Sequence, residues 1–171
     1  VKNYLHGTFL IMREVHNHWM AQHGGSIVNM CADMWGGMPG MGHSGAARAG
    51  VDNLTKTAAI EWAVSGVRVN AIAPGWIMSS GMDSYKGDFA KFVIPTLASK
   101  VPLKRMGTES EVSSVTCFLL SEAAAFVSGI TVRIDGAASL GTPIYPLADH
   151  ENSEPYNGFH RAFIPDVLKK Q

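Results

Sequence analysis

The sequence predicts an α/β protein with a doubly wound parallel sheet, on three observations. Ser26-Ile27-Val28-Asn29-Met30 reads as a short, fully buried strand of the parallel type. A long helical pattern, Ser44 to Val64, separates it from a second apolar strand, Val67 to Ile72. That strand runs into Ala73-Pro74-Gly75-Trp76-Ile77-Met78-Ser79-Ser80, a loop at a strand's carboxyl end, where such sheets place their ligand crevice.

The elements follow in order. Tyr4 to Gln22 reads as a helix with apolar residues at Leu5, Phe9, Met12, Val15, Trp19 and Met20. Gly24-Gly25 ends it, since glycine tolerates the left-handed cap. Asp33 to Gly42 is a loop rich in glycine and methionine. Met30, Met34, Met38 and Met41 either line an adaptable apolar pocket or fill gaps. Ser65-Gly66 stops the long helix. The variable stretch Ser79 to Lys100 carries a helix over Phe89 to Ala98. Thr108 and Glu111 have the spacing of a capping box that opens a helix to Leu120. Thr131 to Gly136 is a third strand with its exit turn. Residues 1–138 are expected to form one sheet domain, and the polar, proline-containing tail 139–171 to pack on it.

With 171 residues, the chain is long enough for one domain with a real core. Hydrophobic residues make up 46% and charged residues 16%, the balance of a compact protein. The net charge is zero, so neither nucleic acid nor an anionic membrane surface is an expected partner. Cys31 and Cys117 form no disulfide framework and no metal motif, and read as buried thiols in a reducing, cytoplasmic setting. No stretch reaches membrane-spanning length. Near its start the chain has no strand followed by Gly-x-x-x-Gly-x-Gly or Gly-x-Gly-x-x-Gly, and it does not begin with methionine, so it reads as the carboxyl half of a longer protein.

Several segments recur in a fixed order: Gly24-Gly25-Ser26-Ile27-Val28-Asn29, Arg68-Val69-Asn70-Ala71-Ile72-Ala73-Pro74-Gly75, Phe118-Leu119-Leu120-Ser121, Ser128-Gly129 and Ile134-Asp135-Gly136. Together they resemble the short-chain dehydrogenase/reductase superfamily over nearly the whole chain. His43 to Val51, Asn53 to Lys56 and Tyr145 to His150 look like the peroxisomal trans-2-enoyl-CoA reductase group. Asp52 and Gly158-Phe159-His160-Arg161 look more like bacterial citronellol/citronellal dehydrogenases. The resemblance implies a partial Rossmann-type fold, an NADP or NAD cofactor, a small-molecule or acyl-CoA substrate and a homo-oligomer. Small residues Ala46, Ala47, Ala49 and Gly50, with Trp19 and Trp62 as anchors, suit pairing of the two long helices with their copies.

The superfamily's reaction is hydride transfer. It uses a phenol as acid/base, a lysine beside it, a serine on the carbonyl and an asparagine that holds a water. Position by position this chain departs. Tyr4 stands at the asparagine place, Cys31 at the serine place, Ser44 at the tyrosine place and Arg48 at the lysine place. Arg48 retains a charge for the ribose hydroxyls, whereas a serine hydroxyl is too weak an acid to replace a phenol unaided.

A second register puts Asp52 and Lys56 where the enoyl-CoA reductase group has a Tyr-Asn-Leu-Thr-Lys run. At about 100° per residue, Ser44 and Lys56 lie roughly 120° apart on the helix and cannot face the same cofactor. Asp52 and Lys56 at i, i+4 read more simply as an exposed pair worth about 0.3–0.5 kcal/mol. The candidate catalytic residues are therefore Ser44, Arg48, Cys31, Asp52 and Lys56. The candidate cofactor residues are Arg48, Pro74, Gly75, Ile77 and Ser79. His43 and Asp33 stand near the expected crevice as a substrate contact or helix neighbour and as a proton carrier or turn residue. Three outcomes stay open: an active oxidoreductase with a non-standard proton donor, a weakened relative kept for binding or assembly, and an inactive fragment.

Overall fold

The structure, a computed structural model, describes residues 1–141, 145–158 and 163–169. Two compact units emerge: Val1–Ala73 with Val115–Arg133, and Pro74–Ser114 with Ile134–Gln171.

In the first unit, α1 (Gly7–Val15) is continued at both ends by π-type turns, Lys2–His6 and His16–Met20, and closes with Ala21–His23. The helix stops at Gly24, as the sequence suggests, but with a φ of 69° and a ψ of −168°, outside the left-handed helical region. A Cβ there would lie 3.0 Å from the Gly66 carbonyl oxygen, so glycine is set by close backbone approach as well as by its dihedrals.

Strand β1 (Gly25–Met30) runs parallel to β2 (Val67–Pro74), with Ile27 opposite Val69 and Asn29 opposite Ala71. The parallel sheet has the order β1-β2-β5, β5 being Thr131–Ile134. Central β2 is buried from Val67 to Ala73 except at Arg68. The expectation of a fully buried first strand is corrected: of β1 only Asn29 is buried, and Met30 is 53% exposed. The physical reason is position, because among the described residues β1 has a neighbour on one side only.

Helix α2 (Gly42–Glu61) starts two residues before Ser44, and a 3-10 turn, Ala63–Ser65, leads to Gly66 in the left-handed conformation. Its buried stripe is Ala47, Val51, Thr55, Ala58 and Ala59, the spacing of one helical face. Val51 packs with Cys31, Ala71 and Ala73, and burying such a side chain is worth about 1.5–3 kcal/mol. Ala58 and Ala59 pack with Met12, Val67 and Val69. Gly50 lets Leu5 close in: a Cβ would sit 2.8 Å from its Cδ2. Ala47 and Gly50 thus serve contacts within the chain, while Ala46 and Ala49 remain exposed.

Buried polar groups are satisfied in ways that explain several recurring residues. Asn70 donates to the Val127 carbonyl (2.8 Å) and accepts from the Ile130 N–H (3.2 Å). Asn29 donates to the Thr55 hydroxyl (2.9 Å), and Arg68 donates to the carbonyls of Leu119 and Ser121.

The second unit pairs two short parallel strands, β3 (Ile77–Met78) and β4 (Gly107–Thr108). The helix expected over Phe89 to Ala98 is present as three joined turns, Phe89–Val93, Ile94–Thr96 and Leu97–Lys100. Pro95 lies at the start of the middle turn, where its missing N–H is tolerated. Helix α3 (Glu109–Leu120) opens on the expected capping box, with the Thr108 N–H donating to Glu111 Oε2 (2.9 Å) and the Glu111 N–H to Thr108 Oγ1 (3.2 Å). Met82, Ile94, Leu97 and Met106 form the core, and Val167 and Leu168 of the tail pack against it. Phe159, His160 and Arg161 of the resemblance lie outside the described residues. Among the described residues, no helix is long and apolar enough to cross a membrane.

Candidate functional site

The first unit holds five of the candidate residues, on α2 and at the carboxyl end of β1. Arg48 grips the end of that strand, its Nη1 donating to the carbonyls of Met30 (2.9 Å) and Cys31 (2.8 Å). Its guanidinium lies 4.2 Å over the Tyr4 ring, and its Nε is buried without a partner. Ser44, one turn earlier, is half-buried, and its N–H is bonded to the Met41 carbonyl (2.8 Å).

Cys31 is buried, its Sγ 3.7 Å from the Arg48 carbonyl oxygen. Burial first, and then the charge of Asp52, push its thiol up to about 11, against the opposing pull of Arg48 and Lys56. It is a protonated core thiol at neutral pH. Cys117 is exposed, which corrects the expectation of two buried thiols.

The Asp52–Lys56 register has a different character. Lys56 Nζ donates to Asp52 Oδ2 (2.6 Å), and the Thr131 hydroxyl donates to Asp52 Oδ1 (2.7 Å). Burial raises the Asp52 carboxyl, but the hydrogen bonds from Lys56 and Thr131 and the charges of Lys56 and Arg133 outweigh it, leaving it below the usual carboxylate range. The simple exposed pair is corrected on one side: Lys56 is open, but the Asp52 side chain is only 16% exposed and ties α2 to β5. An ionised carboxylate with both oxygens engaged is a fastener and a poor proton donor. Arg48 and Lys56 thus have different hydrogen-bond partners, the Met30 and Cys31 carbonyls for the one and Asp52 for the other.

Of the flanking candidates, His43 is exposed in the first turn of α2 and Asp33 is half-buried in the loop after β1. In that loop Trp35 stacks under Arg133 at 3.9 Å. Met30 and Met41 are exposed, so neither is a core gap-filler here.

The second unit holds Pro74, Gly75, Ile77 and Ser79. Pro74 and Ile77, with Glu109, Val112 and Ser113, line a largely apolar cleft of about 470 Å³. Gly75 is demanded by packing: a Cβ would lie 2.8 Å from Asp135 Cβ, and its N–H donates to the Ile134 carbonyl (3.0 Å). Ser79 precedes the turn Ser80–Ser84 and makes no side-chain cap bond, leaving its hydroxyl available. Gly36, Gly37 and Gly40 lie in the loop between β1 and α2, Gly42 opens α2, and among the described residues no strand with a glycine-rich turn stands ahead of the first helical stretch.

Two features were not singled out from sequence as site residues. In the sequence Tyr4 stands out only as a departure from the family pattern; its contact with Arg48 spans 44 positions and leaves no local signal. Arg105 makes a bidentate pair with Glu111 (2.9 and 2.6 Å) and reaches Ser153, fixing the tail. Only the Glu111 half was legible, through the capping spacing.

Comparison with known proteins gives these features a context. The family model described as Enoyl-(Acyl carrier protein) reductase matches residues 2–139. A Bacillus subtilis protein named "Probable 2,4-dienoyl-CoA reductase" is 42% identical over 146 residues, 84% of this chain and 56% of that protein. The solved citronellol catabolism dehydrogenase of Pseudomonas aeruginosa PAO1 is 60% identical, with a TM-score of 0.67, covering 80% of this chain and 51% of that one. A gluconate 5-dehydrogenase from Burkholderia cenocepacia J2315, solved with NADP and tartrate, is 27% identical at a TM-score of 0.70, covering 81% and 54%. The chain thus spans about half the length of the relatives it matches.

Proposed function

Because the chain belongs to the short-chain dehydrogenase/reductase family, we propose that it is the carboxyl-terminal part of an NADP(H)- or NAD(H)-dependent oxidoreductase that reduces a conjugated enoyl- or dienoyl-CoA thioester. The observation that carries this reading is Ser44 at the family's phenol place, followed by Arg48 one turn on. A dihydronicotinamide, when bound, supplies a hydride. An aldehyde reduced that way becomes an alkoxide and needs a proton at once. A conjugated thioester becomes a resonance-stabilised enolate that hydrogen bonds can hold until a proton arrives. With no phenol at position 44, the proton has to come from a group off α2, and an enolate tolerates that delay better than an alkoxide. The named activity of the Bacillus subtilis relative agrees.

In this reading Arg48 carries the charge for the nicotinamide ribose while fixing the end of β1. Pro74, Gly75 and Ile77 offer peptide groups to the carboxamide, and Ser79 offers a hydroxyl to amide or phosphate. Cys31 and Ser44 contribute shape and polarity beside the substrate, and Asp52 and Lys56 brace α2.

A second reading, oxidation of an acyclic alcohol, is favoured by the 60% identity to the citronellol catabolism dehydrogenase. The test joins the amino-terminal half of that dehydrogenase to this chain and follows NADH and NADPH oxidation with crotonyl-CoA, hexadienoyl-CoA and citronellal side by side. Consumption of the thioesters supports the proposal; turnover of citronellal alone moves the assignment to the second reading. Cofactor binding with no turnover of any substrate points to a binding or assembly role. A homo-oligomer is part of the proposal, since Ile60, Val64, Phe9 and Trp19 leave apolar surface on the two long helical stretches. Light scattering of the joined protein checks it, and a monomer would contradict it.

A further inference from the structure

We propose that the Tyr4 phenol is the proton donor that Ser44 cannot be. Tyr4 is the sole tyrosine of the first unit, the others being Tyr85, Tyr145 and Tyr156. Its ring lies against the Arg48 guanidinium at 4.2 Å, and Arg48 is itself pinned to the carbonyls of Met30 and Cys31 at the carboxyl end of β1. The phenol is thereby held where a parallel sheet binds ligands. Tyr4 remains 49% exposed. Tyr4 and Arg48 share the lining of a cavity of about 360 Å³ with Asn3, Thr8, Asn29 and Met30. Together, a phenol and a cation in contact restore the two chemical groups that Ser44 and Arg48 alone do not supply, with the phenol delivered from the first helical stretch and not from α2.

The inference rests on the thioester reading of the preceding section. Its step begins from the enolate left after the β-carbon has been reduced. The Tyr4 O–H bond breaks, the enolate electron pair forms a C–H bond at the α-carbon, and the thioester carbonyl is restored. The phenolate recovers its proton from water. This half of the reaction needs no oxidant or reductant.

Two measurements test it. In the 171-residue chain labelled at the tyrosine ζ-carbon, Tyr4→Phe assigns the Tyr4 resonance, which is then followed during titration with crotonyl-CoA and with CoA alone. Movement with crotonyl-CoA but not with CoA supports the inference; an unmoved Tyr4 resonance at millimolar thioester overturns it. In the joined protein, Tyr4→Phe retains an aromatic face for Arg48 and removes only the hydroxyl. It should lower kcat for crotonyl-CoA by about 10²–10⁴-fold with little change in KM. Unchanged kcat in that variant overturns the role of Tyr4 while leaving thioester reduction standing. Failure of the parent joined protein to reduce crotonyl-CoA would instead remove the functional reading beneath it.

Discussion

Replacing Glu111 tests how the second unit is held together. Its carboxylate accepts from the Thr108 N–H (2.9 Å), from the Tyr156 N–H (3.2 Å) and from both Arg105 terminal nitrogens (2.9 and 2.6 Å). The two side chains are only 19% and 22% exposed, so solvent screens the pair weakly. Loss of a helix cap costs about 0.5–2 kcal/mol. Hydrogen bonds to a charged group add about 1.5–3 kcal/mol, and the bonds here are shared and not additive. Glu111→Ala should therefore destabilise by about 2–4 kcal/mol, lowering Tm by roughly 5–15 °C for a chain of this size.

Burial pushes the Glu111 carboxyl up, but the hydrogen bonds from Arg105, Thr108 and Tyr156 and the Arg105 charge outweigh it, so its folded pKa is depressed. A depressed carboxyl contributes stability above its unfolded value, about 4.3, and loses it as pH falls through the folded value. Urea denaturation of Glu111→Gln and of the parent chain should therefore differ constantly between about pH 6 and 8, and the difference should shrink as pH falls below about 4.3 and on through the folded value. A Glu111→Ala change within about 0.5 kcal/mol, the level of an ordinary surface substitution, would refute the reasoning.

Three further outcomes are expected. A thiol reagent should modify exposed Cys117 quickly and buried Cys31, its thiol pushed up to about 11, only on unfolding; two equally fast thiols would contradict this. Gly75→Ala should destabilise measurably by thermal melt, because its Cβ would press to 2.8 Å from Asp135 Cβ; an unchanged Tm would show that the strand end can move aside. Calorimetry should find weak or no NADPH binding to the 171-residue chain, which has no strand and glycine-rich turn ahead of its first helical stretch; micromolar affinity would contradict it.

Local chemistry was the legible part. The Thr108–Glu111 cap, the stop at Gly66 and the period of α2 each depend on residues within a few positions, and each is found where the spacing put it. What spacing could not show was long-range partnership. Met30 looked buried because its neighbours are apolar, but exposure depends on what lies beside β1 in the sheet. Asp52 looked like half of a surface pair because Thr131 is 79 residues away. At the site, the residue substitutions at 31, 44 and 48 were readable, whereas the contact of Arg48 with Tyr4 required the fold. Gly75 was read as part of a cofactor loop, and packing against Asp135 supplies a separate reason for it.

The central claim is that the Ser44–Arg48 face of α2 serves the cofactor while Asp52 and Lys56 brace the fold. Its most direct test is NADPH affinity in the joined protein for Arg48→Ala, Arg48→Lys and Lys56→Ala. Removing charge-assisted hydrogen bonds of about 1.5–3 kcal/mol should weaken binding by roughly ten- to a hundred-fold in Arg48→Ala. Arg48→Lys should recover much of that loss, and Lys56→Ala, losing one exposed partner, should stay within about twofold. The opposite ranking, with Lys56→Ala weak and Arg48→Ala near normal, would contradict the account and make Asp52–Lys56 the working pair.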